Sequence, residues 1–196
     1  MSLLLVLPAL IAQAPPAQAP ASLETLQAQL AAIPEALVAG KAGSMKGLVA
    51  KTKAEWDKAK PGLAKTMPEA EQVFVDKQLK SMQKMKPTEQ AAGALGIANT
   101  LSRFQPKPKD QGLIQARRAT LLAWCSVDAA QWEPMPRVGE ALKLAVDQDQ
   151  GRHTLAAIGA QDALKRFEES RKKKQAVPTK KALKDLLGFF DVLAKP

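Results

Sequence analysis

The sequence predicts an all-α fold, a compact bundle of about eight helical segments, on three observations. Ala, Leu, Lys and Gln dominate the composition, all strong helix formers, while runs of β-branched residues are nearly absent. Apolar side chains recur every three to four positions, which is the spacing of a helix face. Pro and Gly punctuate the chain into segments at 22–39, 44–59, 68–86, 88–104, 111–131, 136–149, 152–174 and 179–194. A short α-solenoid of helix pairs is the alternative. Pair starts near 22, 69, 111 and 152 have suitable spacing, but no residue consensus recurs with it.

Residues 3–12 are an uncharged apolar run, too short to span a bilayer and matched to the middle of a signal peptide. A small-residue stretch follows, in which Ala19-Pro20-Ala21 before Ser22 is a usable cleavage site and Leu10-Ile11-Ala12 before Gln13 another. No Lys or Arg precedes the run, which is unusual for a leader. The expected organisation is a cleaved signal peptide at 1–21 and one all-helical domain at 22–196, hinged at the Pro-rich stretch 105–110. No later segment is long and apolar enough to cross a membrane.

In the first segment Leu23, Leu26, Leu30, Ile33 and Leu37 form a helical seam, with Ser22 as its cap, Glu24 in its first turn and a kink at Pro34. Lys60-Pro61-Gly62 should stop the second. Thr66 and Glu69 have capping-box spacing for the third, whose apolar arc holds Phe74, Val75, Leu79, Met82 and Met85. Residues 119–130 are apolar on nearly all sides and read as the central helix that the others wrap. Asp128, the one charge there, shares a stripe with Arg117, Thr120, Trp124 and Gln131 that should face water. Ala156, Gly159, Ala160 and Ala163 give the seventh segment a small-residue face that admits a close neighbour. Leu183, Leu186, Leu187, Phe190 and Leu193 make the last segment amphipathic.

The net charge is +10, and lysine far outnumbers arginine. Residues 41–65 carry seven Lys against Glu55 and Asp57, and 152–196 carry eleven basic against five acidic side chains. These faces attract anions loosely, since bidentate phosphate recognition recruits Arg. The candidate partner contacts are Lys41, Lys46, Lys51, Lys53, Arg171, Lys172, Lys173, Lys174, Lys180 and Lys181. An acidic protein, a polysaccharide or a lipid headgroup surface fits them. Nucleic acid fits poorly, because neither aromatics nor Arg are interleaved.

Reactive chemistry is sparse. Gly40-Lys41-Ala42-Gly43-Ser44 lacks the Lys that a phosphate loop places before its Ser, and it lacks the strands and apolar residue that flank a KH-type Gly-x-x-Gly clamp. It reads as a helix–helix turn. Asp147 to Gly151 begins like a calcium loop, but Arg152 stands where that loop needs Gly. His153 is the only His, which removes most triads and every multi-His metal site. Met82 and Met85 have the spacing of a Cu(I) thioether pair, yet both fall on an apolar arc and read as core. The carboxylate pairs Glu69/Glu71 and Glu168/Glu169 read as solvated faces. Cys125, the only Cys, should be buried; pairing between chains is the alternative. The expectation is therefore a periplasmic or secreted soluble protein, not an enzyme and without a cofactor, acting by binding. A periplasmic haem or metal carrier using His153 and Met residues is one alternative. A basic nucleic-acid binder with an uncleaved leader is another.

Overall fold

Helical periodicity becomes packing in the computed structural model, which describes residues 22–105, 109–133, 135, 137–149 and 151–195. The leader 1–21, the side chain of Ser22 and residues 106–108 of the expected hinge lie outside the described residues. Among the described residues there are eight α-helices and no strand. They are α1 (Ser22–Val38), α2 (Met45–Leu63), α3 (Glu69–Met82), α4 (Pro87–Leu101), α5 (Gln111–Asp128), α6 (Val138–Asp149), α7 (Thr154–Lys172) and α8 (Ala176–Leu193).

Two apolar cores organise them. The first joins Leu26, Leu30 and Ile33 of α1 to Val49 and Trp56 of α2, Val75 and Leu79 of α3, and Ile97 and Leu101 of α4. The second joins Leu121 of α5, Leu142 of α6, Phe167 of α7, and Leu183, Leu186 and Phe190 of α8. Within each half the first and last helices meet, α1 with α4 and α5 with α8. That closure makes the molecule a bundle, because solenoid repeats touch only their neighbours.

Side chains are exchanged across the boundary. Cys125 of α5 packs into the first core, whereas Leu95 of α4 and Val38 of α1 pack into the second. Polar ties reinforce the exchange. Arg117 lies 2.9 Å from Glu35 of α1 and also pairs with Asp191 of α8. Arg118 donates to Gln27 of α1 at 2.9 Å and to Asn99 of α4 at 3.2 Å.

The small-residue face of α7 does what its sequence implies. Ala156, Ala160 and Ala163 are buried, and Gly159 lies against the Phe189 ring, where a Cβ would collide. The α7–α8 pair is antiparallel: Arg166 meets Asp185 at 2.8 Å, and the Ser170 and Thr179 hydroxyls are 3.0 Å apart. On α8 the predicted stripe of Leu183, Leu186, Leu187, Phe190 and Leu193 is entirely buried.

Several local expectations are corrected. Helix α2 continues through Pro61 to Leu63, because Pro61 is exposed while the extra turn seats Leu63 in the first core. Helix α8 begins at Ala176, with Pro178 in its first turn, where a missing N–H leaves no intrahelical bond unmade. The Thr66–Glu69 box does not form, since Pro68 takes the N-cap position of α3 and Thr66 bonds to the Leu63 carbonyl. Half of such a box forms instead at α4, where Glu89 accepts the Lys86 N–H at 3.0 Å. Phe74 leaves the buried face of α3, which is Gln72, Val75, Leu79 and Met82, with Gln72 donating to the Met67 carbonyl at 2.7 Å. The stripe through Asp128 is wet only at its end, where Asp128 and Gln131 are exposed: Thr120 is fully buried, and Lys180 of α8 pairs with Asp128 while lying 5.4 Å from the Trp124 ring centre.

Of the four left-handed residues among the described ones, three close a helix with the same cap, Gly40 (φ 72°), Ala130 (φ 55°) and Lys174 (φ 51°). In each the next N–H reaches back five residues, from Lys41 to Ala36, Gln131 to Ser126 and Gln175 to Ser170, at 2.8, 2.8 and 3.0 Å. This cap favours glycine, since a Cβ crowds the left-handed conformation.

Two outcomes follow for denaturation measurements. Leu95→Ala should cost about 2–5 kcal/mol, because it empties a fully packed site in the second core. A loss under about 1 kcal/mol would show that the exchange across the boundary is unimportant. Ala130→Gly should raise stability by about 0.5–1 kcal/mol by relieving its left-handed strain.

Candidate functional site

The basic residues occupy two separate surfaces, one on each half. On α2 the buried face is Met45, Val49, Thr52, Trp56, Ala59 and Leu63. Seven residues are nearly two turns, so Lys46, Lys53 and Lys60 form one row and Lys51 and Lys58 another, the second turned away from the core. The first row is partly absorbed by the fold. Lys60 pairs with Asp76 of α3, and Lys53 lies 2.6 Å from an oxygen of Asp57. Asp76 also accepts the indole N–H of the fully buried Trp56 at 2.7 Å. Burial pushes the Asp76 carboxyl up, but the hydrogen bonds from Lys60 and Trp56 outweigh it and hold the group below the usual range. Lys41, Lys46 and Lys51 stay exposed.

The second surface is the α7–α8 turn. Arg171 is turned inward, 2.9 Å from Glu168 and paired with Glu133. Lys180 is held by Asp128. Lys172, Lys173, Lys174 and Lys181 remain exposed around the turn. Of the ten candidate contacts, Lys53, Arg171 and Lys180 thus serve the fold, and seven face solvent. The division follows residue type: among the described residues, five of the seven arginines stand in ion pairs, but only four lysines do.

The single His and the single Cys are both structural. Asp149 closes α6 and is 4% exposed. Its carboxylate accepts the His153 backbone N–H at 2.8 Å and meets ring Nδ1 at 2.7 Å. An ionised carboxylate only accepts, so Nδ1 carries the hydrogen. The ring hydrogen bond holds the Asp149 carboxyl below its ordinary value against the opposing effect of burial, helped by the backbone N–H and the Arg152 charge. The Gly112 N–H donates to Gln148 at 2.7 Å beside it, and a cavity of about 20 Å³, the size of one water, lies between Asp110, Leu113, Asp149 and Arg152. The Cys125 thiol is 5% exposed and pushed up to about 12, by burial first and then by the nearby Asp128 charge. A thiol so protonated is a poor nucleophile.

Met82 is wholly buried against Gly93, and Met85 packs on the same core. Phe74, left half-exposed, lines a shallow groove of about 260 Å³ with Ala70, Glu71, Thr100 and Arg103. Among the described residues no three His, Cys, Asp or Glu side chains converge as a metal-binding group, and no helix is long and apolar enough to cross a membrane. Sequence reasoning missed Asp76 and Asp149. Asp149 had a local signal, its four-residue spacing to His153 across Gly151. Asp76 had none, since its partner Trp56 lies twenty residues away.

A group whose carboxyl is depressed in the folded state stabilises the fold above its unfolded value near 3.8 and loses that contribution as pH falls through the folded one. Thermal melts should therefore show stability falling below about pH 4, with Asp149→Asn flattening that acid limb. An unchanged limb in the variant would show that the α6–α7 junction does not depend on this carboxylate. Comparison with known proteins adds no relative: no family model, curated protein or solved structure matches the chain.

Proposed function

We propose that this protein is exported and acts without a reaction of its own, by binding an anionic partner through its exposed lysines. The observation that carries the reading is the segregation of basic side chains. Five of the seven arginines stand in ion pairs within the chain, while Lys41, Lys46, Lys51, Lys172, Lys173, Lys174 and Lys181 are left to solvent in a chain of net charge +10. Such a surface draws anions by long-range attraction and imposes little geometry on them. The absence of a reaction is supported by where the reactive groups sit, His153 locked to Asp149 and Cys125 protonated in the core. Export rests on the apolar run 3–12 and the small-residue stretch after it. The mature protein then works in the periplasm or outside the cell.

Two measurements test this. Expression from the native gene should yield a mature chain beginning at Ser22, recovered outside the cytosol. That chain should be retained on immobilised heparin or polyglutamate and released by salt, because surface charge is screened. Replacing these seven lysines with Gln should weaken retention strongly, so that the protein elutes at much lower salt. Full-length protein in the cytosol, no retention on either polyanion, or a co-purified haem or copper would overturn the reading. A clear preference for duplex nucleic acid over the other polyanions would also do so.

A further inference from the structure

The α7–α8 turn differs from the α2 surface in one respect: an aliphatic side chain stands among its lysines. Val177 is 81% exposed at the start of α8. Lys173 and Lys174 precede it across the turn, and Lys181 follows one helical turn later on the same face, with Lys184 beyond. Of the carboxylates near this tip, Glu168 and Glu133 are committed to Arg171 and Asp128 to Lys180, which leaves Glu169 against four exposed lysines. Net positive charge and an exposed apolar residue therefore coincide at one hairpin end.

We infer that this tip docks on an anionic lipid surface, its lysines on the headgroups and Val177 in the apolar layer beneath them. The inference rests on the anionic-partner reading and names the partner. A dissolved polyanion gives Val177 nothing to bury against, whereas a bilayer does. A folded acidic partner is typically met by Arg and aromatic anchors, and the tip presents neither, Arg171 being turned inward. Flexible lysine stems suit a fluid surface of headgroups that has no fixed geometry. Each lysine near such a surface contributes about 1 kcal/mol, or roughly fivefold in partitioning.

The test is co-sedimentation of the purified protein with phosphatidylcholine vesicles, with and without a minority of phosphatidylglycerol. Binding is expected only to the anionic vesicles and should weaken with salt. Replacing Lys172, Lys173, Lys174 and Lys181 together with Gln should lower partitioning by about a hundredfold or more. Val177→Ser should lower it by about threefold to tenfold. All five positions are exposed, so melting curves of the variants should match the parent and separate lost docking from lost fold. Vesicle binding that survives the lysine substitutions would overturn the inference and leave the broader reading intact. Retention on heparin or polyglutamate without vesicle binding would do the same. A loss with the lysine variant but none with Val177→Ser would remove the insertion, and with it the preference for lipid. Failure to bind vesicles and polyanions alike would overturn both.

Discussion

Helix α5 must satisfy two cores at once, and the rest of the structure depends on how it does so. Cys125 points into the α1–α4 core while Leu121, Ala123 and Val127 serve the α5–α8 core, so the helix has little perimeter left for water. Leu95 returns the exchange from α4. Separating the halves would expose these side chains, and each buried methylene is worth about 0.8 kcal/mol. Arg117 and Arg118 add geometry to that adhesion, because a guanidinium fork can hold partners on two helices together.

The same chemical difference between arginine and lysine shapes the surface. Arginine is planar and more weakly hydrated, so it tolerates the half-buried seams between helices and finds carboxylates there. Lysine holds its hydration shell and stays outside except where Lys60 and Lys180 pair with Asp76 and Asp128 across helices. Arg117, Arg166 and Arg171 consequently join α5 to α1 and α8, α7 to α8, and α7 to the loop after α5. With many acidic side chains drawn into those seams, the lysines at the α2 face and the α7–α8 turn are left uncompensated. The basic surfaces are in this sense a by-product of how the helices are tied together, which is why the proposed binding role needs no dedicated pocket.

Groups capable of chemistry have been turned to structural ends. His153 fastens the first turn of α7 to a buried carboxylate at the end of α6. Cys125 fills core space with its proton retained. Met82 packs on a glycine in α4. What remains accessible is charge, with scattered apolar side chains such as Leu155 and Ile158 on α7 and, among the lysines of the α7–α8 turn, Val177.

Helix number, approximate bounds and buried faces were legible in the sequence, because each depends on residues within a few positions of one another. The stripe of α8 and the small face of α7 are of this kind. So is the turn at Gly40, where a left-handed residue was needed and glycine stands. Tertiary structure decided what local pattern could not. The Asp128 stripe looked wet along its length, but α8 covers its middle, and Asp128 is answered by Lys180, fifty-two residues away. Phe74 looked like core, but α3 packs with Gln72 turned inward instead, where its amide finds the Met67 carbonyl. Likewise, Arg171 and Lys180 left the solvent because only folding brings Glu133 and Asp128 within reach, whereas Lys53 meets Asp57 one turn along its own helix. Periodicity along a chain dictates which face is apolar; which partner meets it depends on contacts between residues far apart in sequence, and those exist only once the helices have packed.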